Sequence, residues 1–131
     1  MKKLVTILAL TLATHSFSQS QMGINQEAAD RFTVAKTELN EVYNQILTEY
    51  SSDSIFVESL KRSQWSWEIF RDAQLEMRYP NYGPGYYGSS HVMCLSLYKA
   101  KLTKERTEQL KAWIVGIQEG DICKGSMKFK Q

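Results

Sequence analysis

Apolar residues recur every three or four positions between residues 28 and 50, with mostly polar residues between them. This spacing is that of one face of an amphipathic α-helix. Asn25 is the expected N-cap of the helix, and Glu27 lies in its first turn, where a carboxylate suits the helix dipole. The predicted buried stripe consists of Ala28, Phe32, Ala35, Leu39, Val42, Ile46 and Tyr50.

A run of polar residues, 51–54, separates this pattern from a second one. Ser and Asp are good N-caps, so we predict a second helix from about Ile55 to Met77. The pair Tyr79-Pro80 ends it, because the residue before a proline is disfavoured in helical geometry.

An uncharged stretch rich in Gly and Tyr, residues 81–89, predicts a loop. The third helical region follows a cap at Ser89 or Ser90 and ends at Gly116. Beyond it, residues 117–131 contain turn residues and a basic end that we expect to be loose. The elements together predict an all-α fold: a small bundle of three to four helices, with the Tyr/Gly-rich loop between the second and third helices.

The first twenty residues are typical of a secretory signal peptide. They combine Lys2 and Lys3, an apolar run over 4–13 and a small-residue exit over 16–20. The run is too short to span a bilayer. We therefore predict a signal peptide over 1–20 and a single domain over 21–131. No cysteine lies at the predicted cleavage site, so we expect a soluble periplasmic or secreted protein that is not a lipoprotein.

The charge of the predicted domain is balanced. The whole chain has 16 Lys+Arg and 14 Asp+Glu, and residues 1–20 hold two of the basic residues and none of the acidic ones. Fourteen residues of each sign therefore remain in 21–131. Nucleic-acid binding and electrostatic membrane binding both need a basic face, so this balance argues against them.

Few residues in the chain are suited to catalysis or metal binding. Loss of the signal peptide would leave His91 as the one histidine, and a nearby serine does not by itself make a nucleophile and base. Glu68 and Asp72 lie one helical turn apart, a spacing more typical of a solvated helix surface than of a glycosidase pair. We predict a non-enzyme with no catalytic residue, no metal site and no cofactor.

Export also affects the two cysteines, because an oxidising compartment favours a disulfide, here between Cys94 and Cys123. A straight helix over 94–115 would be roughly 30 Å long, and the residues 116–123 reach at most about 28 Å. Either the bridge is not intramolecular or the third helix breaks. We predict a bend, with Thr103 capping a new helix.

The second helix carries polar residues on an otherwise apolar face. Leu60, Gln64, Trp67 and Arg71 follow one another at spacings of 4, 3 and 4. In one interpretation Gln64 and Arg71 bond helix-end carbonyls or a carboxylate and fix the register of the bundle. In the other they form a polar patch at a groove. All three tryptophans are expected in the core or at its edge: Trp65, Trp67 and Trp113.

Three segments in order contain the signature residues of this chain: Leu39, Asn40, Tyr43, Gln64, Trp67, Arg71, Asp72, Thr103, Arg106 and Leu110. Over about residues 25 to 125, these segments resemble the LprI-type lysozyme inhibitor N-terminal domain family. The resemblance implies a small helical domain exported by bacteria, with lysozyme inhibition reported for some members. Many members have a cysteine pair where this chain has Leu75 and Tyr98, and Cys94 and Cys123 would then form the bridge instead.

The tyrosine-rich loop is the best candidate for binding a protein partner, because tyrosine offers a large contact area and a polar tip at low entropic cost. The residues concerned are Tyr82, Tyr86, Tyr87 and Ser89. The alternative is that the tyrosines fold back and cover the end of the bundle. The leading functional hypothesis is inhibition of a lysozyme or related cell-wall hydrolase by occlusion of its cleft. The alternative is a cell-envelope interaction module with no hydrolase target.

Overall fold

The computed structural model describes the backbone of residues 2–130 and the side chains of residues 20–130, and it contains three helices. These are α1 (Lys2–Glu49), α2 (Ser54–Arg78) and α3 (His91–Val115). Over the described residues the fold is all-α, as predicted, and the only β pairing is an isolated bridge between Ile117 and Phe129. Within the same part of the chain, no helix is long and apolar enough to cross a membrane.

The helices alternate in direction. Near its start α3 shares a shallow groove with Ile24 and Ala28 of α1. Near its end the carbonyl of Trp113 accepts a hydrogen bond from the hydroxyl of Tyr50. Helices α1 and α3 are therefore parallel, and α2 runs antiparallel to both, with Phe56 near Trp113. The tyrosine loop lies at one end of the bundle and the turn after α1 lies at the other.

A seam of small and branched side chains joins α1 to α3. On each helix the buried positions alternate at spacings of three and four, as in a coiled coil. Small residues at several of these positions let the two backbones approach closely. The seam consists of Ala28, Ala35, Leu39, Val42 and Ile46 on α1 and Ala100, Thr103, Thr107 and Leu110 on α3.

The predicted start of the first helix is wrong. Asn25 lies within α1, and its side-chain oxygen accepts a hydrogen bond from Gln21 at 3.1 Å. The predicted signal peptide, 1–20, lies almost wholly outside the residues whose side chains are described. The limits predicted for α2 differ from those found by one residue at each end. Asp53 caps α2 by accepting a hydrogen bond from the backbone N–H of Phe56 at 2.9 Å.

The predicted bend in the third helix is also wrong, because α3 is continuous from His91 to Val115. Thr103 lies in its interior, where its hydroxyl donates to the carbonyl of Lys99 at 2.8 Å. Thr107 repeats this bond to the carbonyl of Thr103 at 3.0 Å. Both hydroxyls are thus satisfied within the helix, which lets two polar side chains occupy the buried seam.

The predicted disulfide is not formed. Cys94 is a half-buried free thiol in the first turn of α3, and Cys123 is an exposed free thiol. With α3 unbroken, a straight return of residues 116–123 along the helix would be needed to bring the sulfurs together. Those residues instead turn at Gly120 and Asp121, where the N–H of Cys123 donates to the Asp121 carboxylate at 2.8 Å.

The segment after α3 is attached to the bundle instead of loose. Gly116 ends the helix at φ 78°, as predicted, and the chain then pairs through Ile117 with residues 128–130. The hydroxyl of Tyr50 also accepts a hydrogen bond from the N–H of Lys128 at 3.2 Å. Trp113 Nε1 donates to Ser126 Oγ at 3.0 Å. A sequence pattern does not reveal these contacts, because each joins residues distant in the chain or follows an irregular backbone.

Candidate functional site

The tyrosine loop, residues 79–90, is held in shape by its own backbone. Consecutive turns give hydrogen bonds from Tyr82 N–H to Pro80 at 2.9 Å and from Gly88 N–H to Gly85 at 3.0 Å. The side-chain oxygen of Asn81 accepts from the N–H of Gly83 at 3.2 Å. These local bonds restrain the backbone of the loop and help it to present a defined surface.

Tyr87 is the inner residue of the loop. Its ring stacks on His91 with the centroids 4.8 Å apart and meets Tyr79 edge-on at 5.4 Å. Its hydroxyl donates to the carbonyl of Pro80 at 2.9 Å, which joins the two ends of the loop. Desolvation, followed by the neighbouring tyrosines, raises the pKa of Tyr87 above its ordinary value. Tyr87 therefore folds back against the bundle, as the alternative interpretation predicts for all three loop tyrosines.

Tyr82 and Tyr86 are the outer residues of the loop. They are 63% and 64% exposed, and their rings touch each other with the centroids 4.7 Å apart. Ser89 is also exposed. The four residues predicted to bind a partner thus divide into one that anchors the loop and three that face solvent.

A small cavity of about 230 Å³ lies behind the outer tyrosines. Four tyrosines, three glycines and His91 contribute to its walls, and no charged side chain does. The Nδ1 atom of His91 is buried and has no hydrogen-bond partner among the described residues. His91 is therefore a helix-start residue packed against the rings of Tyr79 and Tyr87.

The polar residues on the inner face of α2 form a network with α3. Gln64 is buried, and its Oε1 accepts a hydrogen bond from Arg106 Nε at 3.2 Å. Arg106 also donates to Ser63 Oγ at 2.9 Å. Burial lowers the pKa of Arg106 below its ordinary value. This geometry favours the interpretation in which Gln64 fixes the packing of α2, with Arg106 as its partner instead of a carbonyl or carboxylate.

Two guanidinium groups lie close to the ring of Trp67. Arg71 and Arg106 approach its ring with their central carbons 5.2 and 5.9 Å from the centroid. Arg71 also pairs with Asp72 at 2.8 Å, one of the bonds considered from the sequence. The pairing of Gln64 with Arg106 was not predicted, although both residues belong to the signature. Their shared membership of the signature is the one sequence signal that could have indicated the pairing.

The remaining signature residues are structural or solvent-facing. Leu39, Thr103 and Leu110 are buried, and Tyr43 packs against the core at partial exposure. Asn40 is exposed. Within the described residues, no group of three or more His, Cys, Asp or Glu side chains is arranged to hold a metal ion.

The predicted core placement holds for two tryptophans and is wrong for the third. Trp67 and Trp113 pack against the core, but Trp65 is 64% exposed. Two residues correspond to about 200° of rotation on a helix, so Trp65 and Trp67 must face nearly opposite ways. Sequence reasoning missed the consequence of this spacing, which is an apolar surface on the side of α2 that faces solvent.

Comparison with curated proteins and with solved structures gives no match. A family model described as lysozyme inhibitor LprI matches residues 13–110, which include α1 from residue 13 to Glu49, all of α2, the tyrosine loop and α3 as far as Leu110. The match extends over most of the chain, so the chain belongs to the LprI lysozyme inhibitor family.

Proposed function

We propose that this protein is an exported protein-binding domain that inhibits a lysozyme or a related peptidoglycan hydrolase, with the tyrosine loop occluding the substrate cleft. Membership of the family supports the inhibitory role. The choice of the loop as the contact surface rests on one observation. Tyr82 and Tyr86 are exposed on a loop whose two ends are joined by the hydrogen bond between Tyr87 and Pro80.

The geometry of the loop suits insertion into a cleft that binds saccharide. The outer rings offer flat apolar faces with hydroxyl tips, the combination by which a protein surface can imitate a sugar chain. Because the loop is already ordered by its own turns, little conformational entropy is lost on binding. The loop carries no charge, so the affinity it provides is expected to change little with salt.

The experiment measures hydrolase activity against increasing amounts of the protein recovered from expression of the full chain. Animal-type and bacterial muramidases are compared at low and physiological salt. Replacement of both outer tyrosines (Tyr82→Ala with Tyr86→Ala) is expected to weaken inhibition by about thirtyfold or more, the loss typical of central aromatic contacts. Unchanged helicity and melting temperature would show that the fold is intact.

Trp65→Ala is the matched control, because Trp65 is an equally exposed aromatic residue on a different surface. We expect this variant to inhibit like the original protein. Inhibition that survives loss of the outer tyrosines would discard the loop as the contact. Inhibition of no muramidase by a folded sample would discard the proposed function itself.

The alternative function, a cell-envelope interaction module with no hydrolase target, is favoured by the exposed apolar side of α2. It predicts that a pulldown from envelope extracts enriches one non-hydrolase protein and that Trp65→Ala abolishes the enrichment. Retention of the same protein by the Trp65 variant would argue against this surface as its binding site.

A further inference from the structure

The side of α2 that faces away from α1 and α3 is apolar over about three turns. We call this surface the outer face of α2. Its central row steps by four residues through Trp65, Ile69, Ala73 and Met77, and Phe70 lies beside it. The four large side chains are each more than half exposed, from 51% at Ile69 to 70% at Met77. Contiguous apolar surface of this kind on a soluble domain marks an interaction site.

The attachments of α2 leave this surface free. The buried side chains of the helix are Leu60, Gln64 and Leu75, and all three lie on the opposite side. No described segment of the chain covers the outer face, since the loop after α2 and the segment after α3 pack at the two ends of the bundle.

The charges along the outer face are arranged with opposite signs at its two ends. Arg62 lies seven residues before Ile69, and Glu76 lies seven residues after it. A step of seven residues returns to nearly the same side of a helix, so these three residues form one strip. Both charged side chains belong to exposed residues, and within the described part of the chain neither forms an ion pair.

We propose that a second copy of this chain binds the outer face of α2, with the two α2 helices antiparallel about a twofold axis at Ile69. In that arrangement each residue meets the one at the mirrored distance from Ile69. Arg62 of each copy then meets Glu76 of the other, and the large ring of Trp65 lies over the small side chain of Ala73. A twofold interface requires a surface that is complementary to itself. The outer face of α2 meets this requirement in charge, through Arg62 and Glu76, and in side-chain size, through Trp65 and Ala73.

Other partners or orientations would give these residues less favourable contacts. A parallel pair of α2 helices would oppose Arg62 to Arg62 and Trp65 to Trp65. A basic partner would suit Glu68 and Glu76 but would leave Arg62 facing a like charge. Of these arrangements, the antiparallel pair places a positive charge against a negative one and a large side chain against a small one.

The first experiment exchanges the charges and measures the dimer dissociation constant by sedimentation equilibrium. The protein recovered from expression of the full chain is studied from roughly 1 µM to 1 mM, a range suited to interfaces of modest size. Arg62→Glu and Glu76→Arg should each weaken the dimer by about tenfold, since each creates like-charge contacts. The double variant should restore the original constant, because the antiparallel contacts are then regenerated with the signs exchanged.

Lys104→Glu on α3 is the control, because it reverses a charge at an exposed position outside the proposed interface. It should leave the dissociation constant unchanged. A protein that stays monomeric over the whole range, or a double variant that associates no better than the single ones, would overturn the proposal.

The second experiment uses cysteine cross-linking in a Cys94→Ser, Cys123→Ser background. Ile69→Cys should give a disulfide-linked dimer under mild oxidation, because the two thiols meet at the axis. Arg62→Cys should not, because residues 62 of the two copies lie about 21 Å apart along the helices, far beyond disulfide reach. Cross-linking at both positions would indicate parallel pairing and refute the arrangement. Absence of cross-linking at position 69 would refute it as well. Neither result depends on whether the protein inhibits a hydrolase.

Discussion

Helices α1 and α3 are joined very differently from α2. The seam between α1 and α3 is apolar apart from two threonines, and its small residues bring the backbones close together. Helix α2 adds Leu60 to the same core and is otherwise held by long side chains: the amide of Gln64, the guanidinium of Arg106 and the ring of Trp67. The difference teaches how this chain separates two tasks. The pair α1 and α3 fixes the fold, and α2 and the tyrosine loop carry the exposed aromatic surface.

The largest expected effect comes from a matched pair of truncations. Ile46→Ala empties a position that is 0% exposed, so we expect the free energy of unfolding to fall by about 2–5 kcal/mol. Ile69→Ala makes the same change at a position that is 51% exposed, where we expect a change within about 0.5 kcal/mol. Denaturant unfolding at low protein concentration measures both. Equal losses would contradict the contrast between the seam and the outer face of α2.

The polar attachment of α2 is tested by Arg106→Ala, which leaves the amide of Gln64 buried without its partner. The expected loss is about 1–3 kcal/mol. Arg106→Lys keeps the charge but cannot reproduce the contacts to Gln64, Ser63 and Trp67 together, so its loss should be intermediate. A stability unchanged by Arg106→Ala would show that α2 is held by its apolar contacts alone.

A smaller effect is expected at the turn after α1. Tyr50→Phe removes the hydroxyl that bonds both Trp113 and Lys128, and we expect a loss of about 1 kcal/mol. Amide hydrogen exchange at Lys128 should accelerate, because its N–H loses its acceptor. Tyr43→Phe is the control, since the Tyr43 hydroxyl has no hydrogen bond within the described residues. Unchanged exchange at Lys128 would mean that the bridge at Ile117 is enough to hold the segment.

The smallest effect concerns pH. The hydrogen bond from Lys128, followed by that from Gln45, holds the pKa of Glu49 below its ordinary value of 4.5. A carboxyl whose pKa is lower in the folded state stabilises the fold above its unfolded pKa, and the contribution is lost as pH falls through the folded value. NMR titration of Glu49 should therefore show an increase in its pKa in Lys128→Ala. An unchanged titration would indicate that the ion pair does not form in solution.

Local patterns predicted the parts of the fold that depend on local chemistry. The spacing of apolar residues in α1, a cap within residues 51–54 and the end at Gly116 each rest on residues close in sequence, and the structure confirms them. Thr103 shows why the same reasoning failed within α3. A threonine is suited both to a helix cap and to a small buried position, and the choice is made by the facing side chains of α1, which are far away in sequence.

The candidate site was predictable as a segment but not in its detail. Composition located the tyrosine loop, because Gly and Pro exclude regular structure there. Which tyrosine turns inward depends on the ring of His91 and the carbonyl of Pro80, and hence on the three-dimensional path of the loop. The prediction of a disulfide was wrong for a similar reason. An oxidising compartment favours a bond between two thiols, but the bond forms only where the fold brings the two sulfurs together.

The glycines of the tyrosine loop determine which enantiomer of another amino acid could replace them. Gly83, Gly85 and Gly88 have φ values of 113°, 74° and 74°, yet nothing lies within 4 Å of a Cβ placed on any of them. The constraint at Gly85 and Gly88 is therefore one of chirality and not of space. A synthetic chain with D-alanine at these two positions should keep the shape of the loop and stiffen it, whereas L-alanine should strain it. Mirror-image residues thus offer a way to rigidify the loop that the genetic code does not provide.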